Sequence, residues 1–208
     1  KLALSTQVTF KKSKISYQHG RLLYGYVYNL INENKLKFIN IFETGTARGF
    51  SSICMSKAIL DSNIKGKIDT IDILPHNKKM IWNKLFDNDG PTTRKQLLKP
   101  WSNEMRNINF IQNWSYAFIK KNEHSLKRYN FAFLDAAHTF SSVSKEFLFV
   151  EKNQKKNDII FFDDINKESF NDLYNKKNFF INNFKNYDFK FLENTKNRSY
   201  LIAFRNSN

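Results

Sequence analysis

Two short stretches bring together residues that could do chemistry. "FLDAAHTF" carries Asp135 with His138 three positions on, and "FFDDIN" carries Asp163 and Asp164 side by side. Each follows an apolar, β-favouring run, so the acidic groups fall where a strand ends and the chain turns. Three carboxylates in one cleft repel one another unless a cation neutralises them, and hard oxygen donors favour Mg²⁺, with Mn²⁺ or Ca²⁺ as alternatives. A cation held by Asp135, Asp163 and Asp164 lowers the pKa of a hydroxyl bound to it. An imidazole one helical turn beyond Asp135 can then take the proton, since an unperturbed histidine titrates near about 6.5. His138 and Asp135 are therefore the candidate catalytic residues. The bland alternatives are helix capping by Asp163 or Asp164 and a capping or surface role for His138. His19, His76 and His124 have no comparable context, and Cys54 reads as a small buried residue in a helix.

A third stretch, "FETGTARGFSS" at residues 42–52, is a strand-like run that breaks at Gly45 and Gly49 and resumes as a hydroxyl-rich helix. A backbone so bare lets a ligand approach closely, and Glu43 just before it can accept hydrogen bonds from an amino group. The next strand, in "GKIDTIDIL", ends at Asp72, about 20 residues beyond Gly49, where a carboxylate can grip both hydroxyls of a ribose. The glycines do not follow G-x-G-x-x-G, which favours a mononucleoside-type cofactor over a dinucleotide.

The elements that must position these groups follow from periodicity. "GRLLYGYVYNLINEN", residues 20–34, spaces its apolar residues as an amphipathic helix. Strands are expected at 37–42, in "GKIDTIDIL", at 108–112, at 129–135 and in "NDIIFFDD". Helices are expected in "SSICMSKAIL", in "SSVSKEFLFVEK" and from Lys167 to Phe184, and "YDFKFLE" and "RSYLIAFR" close the chain as a hairpin. Strands alternating with helices give a doubly wound α/β fold: a mainly parallel seven-stranded sheet with a C-terminal antiparallel hairpin. In such a sheet the ends of the strands carrying Asp135, Asp163 and the glycine turn open on one edge. Residues 75–106 exceed what a crossover needs. They hold a turn at "NDGP", a helix start at Thr92 or Thr93 and a stop at Pro100. This insertion either shapes a substrate site or subunit contact, or is a plain surface excursion.

Composition bounds the rest. At 208 residues the chain fits a single domain spanning 1–208, with a helical N-terminal extension over about 1–36. Its 21 Phe read as core, "NFFINNF" included. One cysteine makes no demand for an oxidising compartment, no apolar run is long enough to cross a bilayer, and the start lacks a signal-peptide core, so a cytoplasmic location is expected. The chain begins at Lys1 without Met, which leaves room for an upstream segment. A net charge of +15 raises nucleic acid as a partner. The lysines are scattered, however, and Lys, Asn, Ile and Phe share A/T-rich codons, so solvated surface charge is favoured. A homo-oligomer remains open.

These motifs resemble those of class I S-adenosylmethionine-dependent methyltransferases over nearly the whole chain from about Tyr17. "ETGTARGFSS" matches the first motif of that family, "DTIDI" the second, and the closing hairpin its usual seven-strand ending. The resemblance implies that Glu43, Thr44, Gly45, Thr46, Gly49 and Ser51 surround the methionine part of the cofactor, with Asp135 at its edge, and that Asp72 holds the ribose. "IQNWS" stands where relatives carry a Gly-Asp-Ser-like turn beside the adenine, which implies contacts from Trp114 and Ser115. Catechol and caffeoyl-CoA O-methyltransferases carry an aspartate at the position of Asp135, usually a lysine at that of His138, and Asp-Asn at that of Asp163 and Asp164. Asp-x-x-His with Asp-Asp looks more like the branch of macrolide-sugar O-methyltransferases and cephalosporin-hydroxylase-like proteins. The expectation is thus an S-adenosylmethionine-dependent, Mg²⁺-assisted O-methyltransferase for a small-molecule or sugar hydroxyl. The rivals are a nucleic-acid methyltransferase, although the fourth strand lacks the Asn/Asp-Pro-Pro-aromatic signature of amino-group methylation, and a non-catalytic cofactor-binding module.

Overall fold

Seven strands form one sheet in the order β3-β2-β1-β4-β5-β7-β6 in a computed structural model that describes residues 1–6, 17–82, 90–137, 139–165, 172–194 and 198–207. The strands are β1 (Phe38–Thr44), β2 (Lys65–Asp72), β3 (Ile108–Gln112), β4 (Phe131–Leu134), β5 (Ile159–Phe162), β6 (Tyr187–Asn194) and β7 (Arg198–Arg205). The helices are α1 (Leu2–Thr6), α2 (Tyr17–Glu33), α3 (Phe50–Asp61), α4 (Arg94–Leu97), α5 (Ser102–Met105), α6 (Ser115–Lys121), α7 (Phe140–Glu151) and α8 (Asp172–Asn183). β2 pairs with β3, β1 with β4 and β4 with β5 in parallel, whereas β7 runs antiparallel to both β5 and β6. This is the doubly wound sheet with a closing hairpin that the sequence leads one to expect. The strand order reverses at β1 and β4, the place where open α/β sheets bind ligands beyond their strand ends.

By internal contacts the chain divides into two units, Lys1–Ile39 with Thr46–Asn113 and Asn40–Gly45 with Trp114–Asn208, so β1 contributes residues to both. In the first unit, α2 buries Leu23, Val27, Leu30 and Ile31, the stripe that a 3.6-residue period produces. Within 75–106, Thr93 starts α4 with a capping box: its hydroxyl accepts from the Gln96 N–H and its own N–H donates to Gln96 Oε1. Thr92, the other candidate start, pairs its backbone with Met80 instead. The helix ends at Leu97, ahead of the expected stop at Pro100. Pro100 lies in a 3₁₀ turn over Lys99–Trp101, near its start, where the missing N–H has no helical partner to lose.

In the second unit every residue of β4 and β5 is buried, as expected of parallel strands covered on both faces. Phe147 of α7 is fully buried, with its ring centroid 5.8 Å from that of Phe162, 5.3 Å from Phe180, 4.6 Å from Phe184 and 5.5 Å from Tyr187. The phenylalanine excess thus builds core, although Phe179 of "NFFINNF" is 44% exposed. The start of the helix expected from Lys167 lies outside the described residues. At the other end of β4 and β5, Arg128 grips Asp158 through Nε at 2.7 Å and Nη2 at 2.8 Å. Burial raises the Asp158 pKa in spite of that pairing, which acts in the opposite sense.

Candidate functional site

The glycines after β1 have left-handed backbones, φ 87° at Gly45 and 86° at Gly49, that only glycine adopts readily. The space a side chain would fill is taken by the protein itself. A Cβ at Gly45 would lie 2.1 Å from the Asp135 carbonyl oxygen, and one at Gly49 would lie 2.8 Å from Leu98 Cδ1. Gly45 therefore lets the turn close against the residue that follows β4, and Gly49 lets it rest on the 75–106 insertion. Ala47, between them, is also left-handed at φ 44°. Thr46 turns its hydroxyl inward to Thr70, 2.6 Å away, and Ser51 is buried in the first turn of α3.

Asp72, the last residue of β2, accepts from the Ala47 N–H at 2.5 Å on one oxygen and from the Leu74 N–H at 2.7 Å on the other. A carboxylate has about four lone-pair sites, so each oxygen keeps acceptor capacity of the kind two ribose hydroxyls require. The acceptor chemistry of this carboxylate fits the ribose role read from the sequence.

In the second unit Glu43 and Thr44 are fully buried. The Thr44 hydroxyl donates to Glu146 Oε2 at 3.0 Å, and Ser115 also hydrogen-bonds Glu146, so both hydroxyls are engaged within the protein. Glu146 is 1% exposed; burial pushes its pKa up to about 7, against the opposing pull of the Ser115 and Thr44 hydrogen bonds. Sequence reasoning assigned Glu146 no role. The signal was present: Val143, Glu146, Phe147 and Val150 fall on one face of α7 at helical spacing, and all four are buried. Trp114, just before α6, is 69% exposed and presents an aromatic surface.

Parallel register explains the acidic pair. Thr44, Leu134 and Phe162 are mutually aligned across β1, β4 and β5. The ladder runs one residue further, with the Asp135 N–H donating to Thr44 O and the Asp163 N–H to Leu134 O. Asp135 and Asp163 consequently stand side by side, each offering a carboxylate oxygen within 4.8 Å of the other. Asp163 is 1% exposed. Asp164 does not join that group: its backbone is left-handed at φ 51° and its N–H donates to Asp163 Oδ1 at 2.8 Å. His138, the proposed base, lies outside the described residues.

A sheet of this strand order, with a glycine turn closing β1, a carboxylate closing β2 and a reversed terminal hairpin, has the fold of class I methyltransferases. Residues 42–165 match the family model described as "Methyltransferase domain", and the chain belongs to that family: it is a methyltransferase of the S-adenosylmethionine-dependent class. No curated protein matches the sequence. Among solved structures, the O-methyltransferase TomG from Streptomyces achromogenes, involved in tomaymycin synthesis and in complex with SAM, is 12% identical. It aligns over 95% of this chain and 84% of its own with a TM-score of 0.68. The O-methyltransferase from Bacillus cereus in complex with SAH is 14% identical, over 93% and 84%, with a TM-score of 0.65. The O-methyltransferase NovP is 11% identical, over 93% and 81%, with a TM-score of 0.63. At such identities these likenesses establish the fold.

Proposed function

We propose that the protein methylates a hydroxyl oxygen of a small-molecule or sugar acceptor, with a divalent cation, in the first place Mg²⁺, bound at Asp135 and Asp163. One observation carries the reading: two carboxylates at the ends of neighbouring parallel strands, one of them almost wholly buried, with oxygens within 4.8 Å. Two hard oxygen donors so placed suit a divalent cation. Asp164, next in the chain, is a third ligand in the sequence reading alone, since its carboxylate is not grouped with this pair. The naming of TomG, the Bacillus cereus protein and NovP as O-methyltransferases supports oxygen as the atom methylated.

When bound, S-adenosylmethionine supplies an electrophilic methyl group and the cation supplies positive charge beside the acceptor oxygen. The chain's own residues bind and orient. In this reading Glu43, Thr44, Gly45, Thr46, Gly49 and Ser51 form the turn around the methionine part, Asp72 takes the ribose hydroxyls, and Trp114 and Ser115 flank the adenine. His138 takes the hydroxyl proton. A cytoplasmic setting suits a chain with one cysteine; among the described residues, no helix is long and apolar enough to cross a membrane.

The cation is tested without knowledge of the acceptor. Mn²⁺ titrated into the protein and followed by electron paramagnetic resonance should bind the wild type and bind Asp163→Asn on the order of tenfold or more weakly, because a neutral amide removes one of the charges that hold it. Mn²⁺ held equally by both proteins, or undiminished methyl transfer to a polyhydroxylated acceptor in excess chelator, would contradict the proposal.

A further inference from the structure

We infer that Arg94 is a positioning residue for the cofactor turn, holding the Asp72 carboxylate and the Ala47 peptide in the arrangement that receives the ribose. The sequence hides it, since "TTRKQLLK" reads as the solvated start of a short helix. In the structure Arg94 is 2% exposed. Its guanidinium carbon lies 5.5 Å from the Trp82 ring centroid and 5.7 Å from that of Phe110, within the range over which an aromatic face attracts a cation. Trp82 is itself pinned, its indole N–H donating to Thr92 O at 2.8 Å.

From this seat Arg94 Nε donates to the Ala47 carbonyl at 2.8 Å, while Nη2 lies 3.8 Å from Asp72 Oδ2. Asp72 Oδ2 in turn accepts from the Ala47 N–H. Arg94, the Ala47 peptide and Asp72 thus form a closed ring of interactions. Each part restrains the others, including an alanine in a left-handed backbone that L-residues adopt reluctantly. Burying a guanidinium is unfavourable unless its hydrogen bonds and charge are matched. Here the Ala47 carbonyl takes the Nε hydrogen bond, and Asp72, at ion-pair rather than hydrogen-bond distance from Nη2, matches the charge, so the burial has the effect of preforming the site. A lysine in its place would bring a charge but no planar fork able to bond Ala47 while lying between two rings. The inference rests on the reading that Asp72 holds the ribose.

The test is calorimetric titration of S-adenosylhomocysteine into wild type, Asp72→Asn, Arg94→Met, Arg94→Lys and the Arg94→Met/Asp72→Asn double variant, with a thermal melt of each. Asp72→Asn and Arg94→Met should each weaken binding on the order of tenfold, and the double variant should be little weaker than the poorer single, because residues of one network couple. Arg94→Lys should recover only part of the affinity. Wild-type affinity in Arg94→Met, or losses that multiply in the double variant, would overturn the inference while leaving the Asp72 assignment standing. Wild-type affinity in Asp72→Asn would remove that assignment, and the role of Arg94 with it. If Arg94→Met does not fold, Arg94→Lys decides: weakened binding at an unchanged melting temperature supports the inference, and unchanged binding contradicts it.

Discussion

Glu146 is held almost out of water, with Thr44, the residue before Gly45, bonded to it. Its folded pKa of about 7 lies above the 4.5 of an unperturbed glutamate, so between those values the folded chain binds a proton that the unfolded chain has released. Stability therefore falls as pH rises through that window and levels off above it. The shift corresponds to roughly 3 kcal/mol in total. Glu146→Gln removes the titrating group, so urea denaturation should show the variant gaining roughly 2 to 3 kcal/mol on wild type between pH 5 and pH 8; parallel profiles would mean that the carboxyl is not buried in the neutral form. At this scale the sequence was partly legible. Gly45 and Gly49 are recognisable from spacing as positions that need an unusual backbone. That the Asp135 carbonyl and Leu98 fill the space beside them depends on which distant segments arrive there. His76 likewise reads as an isolated histidine, yet it stacks on Phe110 at 4.1 Å, and burial, with Arg94 and Lys95 nearby, lowers its pKa.

The elements were more legible than their contacts. Runs of β-branched and aromatic residues bounded by turns located all seven strands, and the threonine pair at 92 and 93 narrowed the start of α4 to two positions, because these signals act on the local backbone. What each element covers is not local. Nothing in "TTRKQLLK" shows that Arg94 lies against Trp82 and Phe110, so the sequence alone leaves the 75–106 insertion open as a substrate site, a subunit contact or a surface excursion, whereas Arg94 and Leu98 make it a support for the glycine turn. The same limit separates neighbours in the aromatic layer. Phe147 is fully buried among four rings, and its change to alanine should lower stability by about 3 to 5 kcal/mol. Phe179, 44% exposed, should lose far less on the same change, on the order of 1 kcal/mol. Equal losses by denaturant titration would mean that the packing order of α7 and α8 is wrong.

Across the whole molecule, the strand order accounts for why residues far apart in sequence meet at one strand edge: Asp135 and Asp163 are neighbours because β4 and β5 pair in parallel and in register. The net charge of +15 finds local settings in part, with Lys145 4.8 Å from the Tyr116 ring centroid and Lys127 5.0 Å from that of Tyr129. The reading of one domain over 1–208, in which β1 contributes to both units, predicts a single cooperative thermal transition with coincident far- and near-ultraviolet circular dichroism; two resolved transitions would contradict it. The central claim is that the turn after β1 and the carboxylate closing β2 receive S-adenosylmethionine. Calorimetric titration of S-adenosylhomocysteine into wild type and Asp72→Ala tests it most directly. Wild type should bind with one-to-one stoichiometry, and Asp72→Ala should bind on the order of tenfold or more weakly, having lost the acceptor for the ribose hydroxyls. Equal affinity in the two proteins, or a preference for a nicotinamide dinucleotide, would contradict the account.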